Sequence, residues 1–170
     1  MRAPSHGPGI VRSTPLPLST MTTNAGFDVD RFLARPLTAR VATNGPTVRP
    51  TWYLWEDGAF WILTGPWARL LDHVRKDPAV ALTVDVADVT TGETLQVIAS
   101  GEAEVVPFDV VRGHRKLVRY LGPDESRWDE RFQHYLRDDP AERGTRWLVL
   151  RPTRMIAVDL SYDASAYDPS

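Results

Sequence analysis

The 170-residue sequence predicts a mainly β (α+β) fold, a closed antiparallel barrel with helices at its side. Three observations point there. Most apolar runs alternate with polar residues at the two-residue period of a half-buried strand. About seven such strands occur and most follow one another directly, whereas a parallel sheet would place a helix after each. Asp57-Gly58 is a two-residue hairpin signal, a connection that only antiparallel neighbours use.

The elements follow from local chemistry. Phe27–Leu33 is a short amphipathic segment that Asp28 or Asp30 can cap, a helical turn placed on a barrel end. Leu37–Thr43 alternates in strand fashion, and Asn44-Gly45-Pro46 ends it. Thr47–Glu56 is the next strand, with Val48, Trp52, Leu54 and Glu56 on one side and Arg49, Thr51, Tyr53 and Trp55 on the other. Pro50 lacks a ladder donor, so inside this strand it predicts a local irregularity. Asp57-Gly58 returns the chain into Ala59–Leu63. Ala68–Asp77 is an amphipathic helix with Leu70, Leu71 and Val74 on one stripe and Arg69, Asp72, His73 and Lys76 opposite; Pro78 stops it. Ala79–Val86 and Thr94–Val106 are strands, the second with Gly101 at a bulge or barrel corner. Pro107–Leu121 and Ser126–Leu136 carry helical periodicity, the first presenting Val110, Val111, His114, Leu117, Val118 and Leu121. Arg146–Leu150 and Met155–Leu160 close the barrel. Residues 26–163 thus form one domain, flanked by a disordered Pro- and Ser-rich tail (1–25) and a short C-terminal tail (164–170).

Composition narrows the function. A net charge of -2 with mixed signs offers no basic platform for nucleic acid. No apolar run is long enough for a signal-peptide core or a membrane span, and zero cysteines exclude disulfides and thiolate chemistry; both fit a cytoplasmic protein. The histidines are not spaced for a metal site. No Gly-x-Ser-x-Gly elbow, Walker loop or dinucleotide glycine pattern is present.

The stretch from Arg49 to Pro78 carries the most chemistry. Its first half offers aromatic surface and irregular backbone at Arg49, Pro50, Thr51 and Trp52. Its second half offers a Thr64-Gly65-Pro66 turn into a helix whose first amides can face an anion, with Arg69 beside them. That combination suits a phosphorylated, ring-bearing ligand. The same residues also admit plainer roles: Arg69 and His73 as a solvated helix face, the tryptophans as core or interface, Thr64 as an N-cap, Gln96 as an exposed strand position.

Over roughly residues 29–160 the order and spacing of these motifs resemble the pyridoxamine 5'-phosphate oxidase-like superfamily, split-barrel proteins that bind FMN or the deazaflavin F420. The resemblance is carried by VRPTWYLWEDG, by Thr64 with Asp77-Pro78 thirteen residues on, and by Gln96-Val97 followed by Gly101. It implies an antiparallel split β-barrel with flanking helices, a homodimer with two sites at its interface, FMN (alternatively F420) as cofactor, and hydride transfer to or from a small organic substrate. It implies cofactor contacts at Arg49, Pro50, Thr51, Trp52, Thr64, Gly65, Arg69, His73 and Gln96; Tyr53 and Trp67 are candidates for substrate contact. No catalytic side chain is assigned, because the ring performs the redox step in such proteins. The chain departs from the family pattern in its helix, with Leu70 in place of the usual Lys, Ala68 in place of a frequent Arg and His73 in place of Asn. A barrel that holds a flavin, haem or other flat ligand without turnover is the alternative.

Overall fold

The computed structural model describes residues 21–132 and 143–164. In chain order the elements are β1 (Met21–Asn24), α1 (Val29–Leu33), β2 (Thr38–Thr43), β3 (Thr47–Glu56), β4 (Ala59–Thr64), α2 (Leu70–Lys76), β5 (Ala79–Ala87), β6 (Thr94–Pro107), α3 (Val110–Leu121), β7 (Arg146–Leu150) and β8 (Arg154–Asp159). No helix among these residues is long and apolar enough to cross a membrane.

Six strands close a ring in the order β6-β5-β2-β3-β4-β7 and back to β6, every pairing antiparallel. Two long strands make this possible by changing partners along their length. β3 pairs with β2 over Thr47–Trp52 and with β4 over Tyr53–Glu56. β6 pairs with β8 over Leu95–Ser100 and with β7 over Ala103–Pro107. Gly101 sits at that second fork, where an added Cβ would lie 3.2 Å from both the Arg151 carbonyl and the Thr153 nitrogen. The strand passes close under the β7–β8 link, where a side chain would press on backbone, and this is the expected barrel corner.

The interior is filled by Tyr53, Phe60, Ile62, Leu82, Val84, Val97, Leu148 and Leu150, with Phe32 and Leu33 of α1 and Leu70 and Val74 of α2 closing on it. Each such side chain contributes about 1.5–3 kcal/mol by leaving water. A second cluster, Leu54, Ala59, Trp61, Trp147 and Val149, uses the alternate positions of β3, β4 and β7.

Several expectations are corrected. Met21–Asn24, expected within the tail, pairs in parallel with β8; residues 1–20 lie outside the described residues. The β2–β3 register runs unbroken through Arg40 opposite Pro50, so there is no bulge. Pro50 lies where β3 has not yet acquired β4 as a second neighbour, and an edge tolerates a missing donor. Asp57 and Gly58 have φ values of 55° and 66°, the two left-handed residues of a type I′ turn. The buried side of α3 is Gly113, Lys116 and Leu117, while Val110 and Val111 are exposed. The second helical segment opens as a 3-10 turn, Glu125–Arg127, and becomes helical at Glu130; its positions beyond Phe132 lie outside the described residues.

Candidate functional site

Helix α2 crosses the end of the barrel from β4 to β5, turning Leu70, Leu71 and Val74 inward. Its other side meets the β2–β3 hairpin around a pocket of about 260 Å³, lined by Val41, Gly45, Thr47, Arg49, Arg69, Leu70 and His73. Three residues singled out from the sequence, Arg49, Arg69 and His73, therefore converge. The imidazole is held in place: His73 Nδ1 lies 3.1 Å from Thr43 Oγ1, which lies 2.7 Å from Thr47 Oγ1. Asn44 Nδ2 donates to Asp77 Oδ2 at 2.5 Å and the Ala79 amide to Asp77 Oδ1 at 3.0 Å, tying hairpin to helix end. These bonds, Asn44's first, hold the Asp77 carboxyl below its ordinary range. Among the described residues neither Arg49 nor Arg69 has an ion-pair partner. The pocket is thus cationic and uncompensated.

Beside it, β3 presents backbone. Along Val48–Trp52 one edge of β3 pairs with β2, and among the described residues the other has no strand partner until β4 joins at Tyr53. At that point a side chain enters the ladder. The Tyr120 hydroxyl accepts the Tyr53 amide at 3.1 Å and lies 2.7 Å from the Leu37 carbonyl and 2.9 Å from the Tyr53 carbonyl. Its ring stacks on Trp52 with centroids 4.6 Å apart and planes at 7°.

The remaining predicted positions are dispersed. Thr51 is half-buried, its hydroxyl on the Trp52 carbonyl at 3.3 Å. Tyr53 is wholly buried in the core with its hydroxyl donating to the Leu33 carbonyl at 3.0 Å, which corrects its assignment to substrate contact. Thr64 is also fully buried and its hydroxyl has no hydrogen-bond partner. It caps nothing: α2 starts at Leu70 after a turn in which the Ala68 amide bonds the Gly65 carbonyl, and Arg69 occupies the cap without a side-chain bond. Trp67 is 59% exposed and its indole lies over Gly65, where an added Cβ would fall 2.2 Å from the ring. Gln96 stands on β6 between Asp85 of β5 and Val158 of β8 and lines neither pocket.

Three participants escaped the sequence reading. Thr47 lines the pocket, and a hydroxyl at the mouth of a hairpin was a legible signal. Tyr120 and Lys116 lie four apart on the inward stripe of α3, which also carries the buried Gly113. Lys116 is almost fully buried with Trp52 as its aromatic neighbour, its nitrogen 5.9 Å from the ring, and burial pushes its amine down to about 8. A larger open groove of about 650 Å³ crosses β2, β5 and β6 at Thr43, Ala81, Ser100 and Glu102.

Two guanidiniums without counter-ions among the described residues, an imidazole and a hydroxyl form a donor set that fits a phosphate. The volume lies below the roughly 300–1,000 Å³ of pockets that enclose a whole small ligand. It suits the anionic end of a ligand, with any ring lying outside. A family model described as pyridoxamine 5'-phosphate oxidase matches residues 28–159. The chain belongs to that family. This split-barrel, flavin-binding family accounts for the forked strands, and solved structures share the fold. A conserved hypothetical protein from Mycobacterium tuberculosis is 21% identical, with 82% of this chain and 92% of that one covered and a TM-score of 0.62. A protein titled F420 reductase is 22% identical, with 78% and 98% covered and a TM-score of 0.55. A flavocytochrome from Azotobacter vinelandii is 17% identical, with 82% and 72% covered and a TM-score of 0.54. No curated protein matches the sequence.

Proposed function

We propose that this member of the pyridoxamine 5'-phosphate oxidase family binds FMN, or alternatively F420, and is an oxidoreductase that moves a hydride between that ring and a small organic substrate. The observation that carries this reading is the convergence of Arg49, Arg69 and His73 on one uncompensated pocket. In this reading the two guanidiniums hold the phosphate, and each charge-assisted bond contributes about 1.5–3 kcal/mol. The free edge of β3 at Pro50, Thr51 and Trp52 receives the ring by backbone contact. When bound, the ring supplies the redox chemistry. Trp67, exposed at the strand–helix turn, is suited to cover ligand and exclude water.

The family resemblance further supports a homodimer. The face of the sheet that carries Val48, 70% exposed, and Ile98, 39% exposed, is where a second copy would find apolar surface. A second reading, a barrel that holds a flat ligand without turnover, is favoured by Leu70, which stands at the usual lysine and is packed into the core.

Titration of the purified protein with FMN and with F420, followed by turnover with electron donors and acceptors, tests both readings. Tight binding of one cofactor with turnover supports the enzyme, and binding without turnover supports the module. No binding of either at high micromolar concentration overturns the cofactor reading.

A further inference from the structure

We propose that Tyr120 is a positioning residue of the ring-binding edge: by wedging its hydroxyl into the β2–β3 ladder and stacking on Trp52, it fixes the backbone that a flavin ring would contact. The inference rests on the cofactor reading above. Its basis is an interruption in a regular ladder. The β2–β3 register would next place Leu37 opposite Tyr53, continuing from Thr38 opposite Trp52. Instead the two strands part, and the groups that would have paired are bridged by one phenol, which accepts the Tyr53 amide at 3.1 Å and reaches the Leu37 carbonyl at 2.7 Å.

A hydroxyl has one proton, so it donates to Leu37 or to the Tyr53 carbonyl but not to both at once. The shorter separation favours Leu37. Either way the Tyr53 amide and one of the two carbonyls at the fork are satisfied by the phenol, and β3 is free to leave β2 for β4. The stack on Trp52, at 7° between planes, then holds the side chain next to the fork. Arg119 adds to the lock from the preceding position, donating to the Leu33 and Arg35 carbonyls just upstream of β2. Helix α3 therefore sets the geometry of Thr51 and Trp52 from one side, and among the described residues no strand pairs with their other edge.

Tyr120→Phe removes the hydroxyl and keeps the ring, the volume and the stack. Three probes separate ring from phosphate: FMN, riboflavin, which lacks the phosphate, and inorganic phosphate as a competitor of FMN. The expected result is that riboflavin and FMN both bind roughly tenfold more weakly, because the variant must order the ring-binding edge at the moment of binding. Competition by phosphate is expected to be unchanged, and the absorbance of bound FMN to shift toward that of free FMN. Equal weakening of all three probes would mean a general loss of structure and overturns the inference, as does wild-type affinity for riboflavin in the variant.

If the wild-type protein binds no flavin, the cofactor reading falls and takes this inference with it. If it binds flavin and the variant binds it equally well, only the inference falls. Should the variant not fold, hydrogen exchange of the wild-type protein decides: FMN must slow exchange in the peptide spanning residues 49–53, and an unchanged rate there overturns the proposal.

Discussion

Arg115 and Glu56 form a two-point ion pair, Nε to Oε1 at 2.9 Å and Nη2 to Oε2 at 2.8 Å, and Arg112 Nε joins the same carboxylate at 2.8 Å. The pair pins the first turns of α3 to the end of β3. Arg112 also lies 3.7 Å over the Trp61 ring, so its charge covers the second apolar cluster. The bond from Arg115, ahead of that from Arg112, holds the Glu56 carboxyl below its ordinary range against the opposing effect of burial. A depressed folded-state value means the stabilisation is complete above the unfolded-state pKa and is lost as pH falls through the folded one. Glu56→Gln is therefore expected to cost about 1–2 kcal/mol at neutral pH, discounted for partial exposure. Urea unfolding at a series of pH values checks it: the difference between the two proteins should shrink once pH drops below the ordinary carboxylate range. A difference independent of pH would remove the ion pair from the account.

The hairpin at Asp57-Gly58 makes a local claim. Gly58 has a φ of 66°, where a side chain strains the backbone although nothing lies within 4 Å of the added Cβ. Gly58→Ala should thus lower stability by roughly 1–2 kcal/mol through backbone conformation alone. Asp57→Gly should not, since it relaxes the neighbouring left-handed residue. Thermal melts of the two variants moving in the same direction by the same amount would contradict this.

The sequence made the strands legible because alternation and turn chemistry are local. Thr47–Glu56 and Arg146–Leu150 have the expected bounds, and Asp57-Gly58 is the expected turn. Depth along a strand is not local. Arg49 and Tyr53 share a face, yet Arg49 lies at the barrel mouth and Tyr53 inside it, because β3 changes partners between them. The same limit hid the buried stripe of α3. Its inward positions include Lys116, and Arg112 and Arg119 lie over aromatic rings, so apolar periodicity pointed to Val110 and Val111 instead. Arg49 and His73 were legible as candidates through family spacing and Arg69 as the cation at the helix start, one residue out of the family register, while their convergence needed the packing of α2 against the β2–β3 hairpin.

Gly65 and Gly101 should respond differently to the same substitution. A Cβ at Gly65 would strike the indole of Trp67, an exposed side chain free to swing away. A Cβ at Gly101 would press on the backbone of Arg151 and Thr153, which cannot move without disturbing the β6–β7 fork. Gly65→Ala is expected to alter tryptophan fluorescence with little change in melting temperature, and Gly101→Ala to cost about 1–3 kcal/mol. Denaturant unfolding monitored by fluorescence reads both effects at once. A larger loss at Gly65 than at Gly101 would show that the Trp67 contact is part of the fold and not a movable cover.

The phosphate end of the proposed site gives the sharpest functional prediction. Arg69 is exposed, has no ion-pair partner among the described residues and shares its pocket with Arg49. Arg69→Gln should therefore leave stability near that of the wild type while weakening FMN binding by about tenfold or more, the value of one charge-assisted bond. Riboflavin, without a phosphate, should bind both proteins equally. Leu70→Lys, which restores the family's usual cation, carries a different cost: Leu70 is 6% exposed and part of the core, so an ammonium there is buried and the melting temperature should fall. FMN should recover more of that loss than it adds to the wild-type protein, because the phosphate also neutralises the ammonium buried in the variant, a charge the wild type does not carry. Calorimetric titration of Arg69→Gln with FMN and riboflavin, paired with melts of Leu70→Lys with and without FMN, checks both arms. Equal weakening of riboflavin by Arg69→Gln would move Arg69 from the phosphate to the ring.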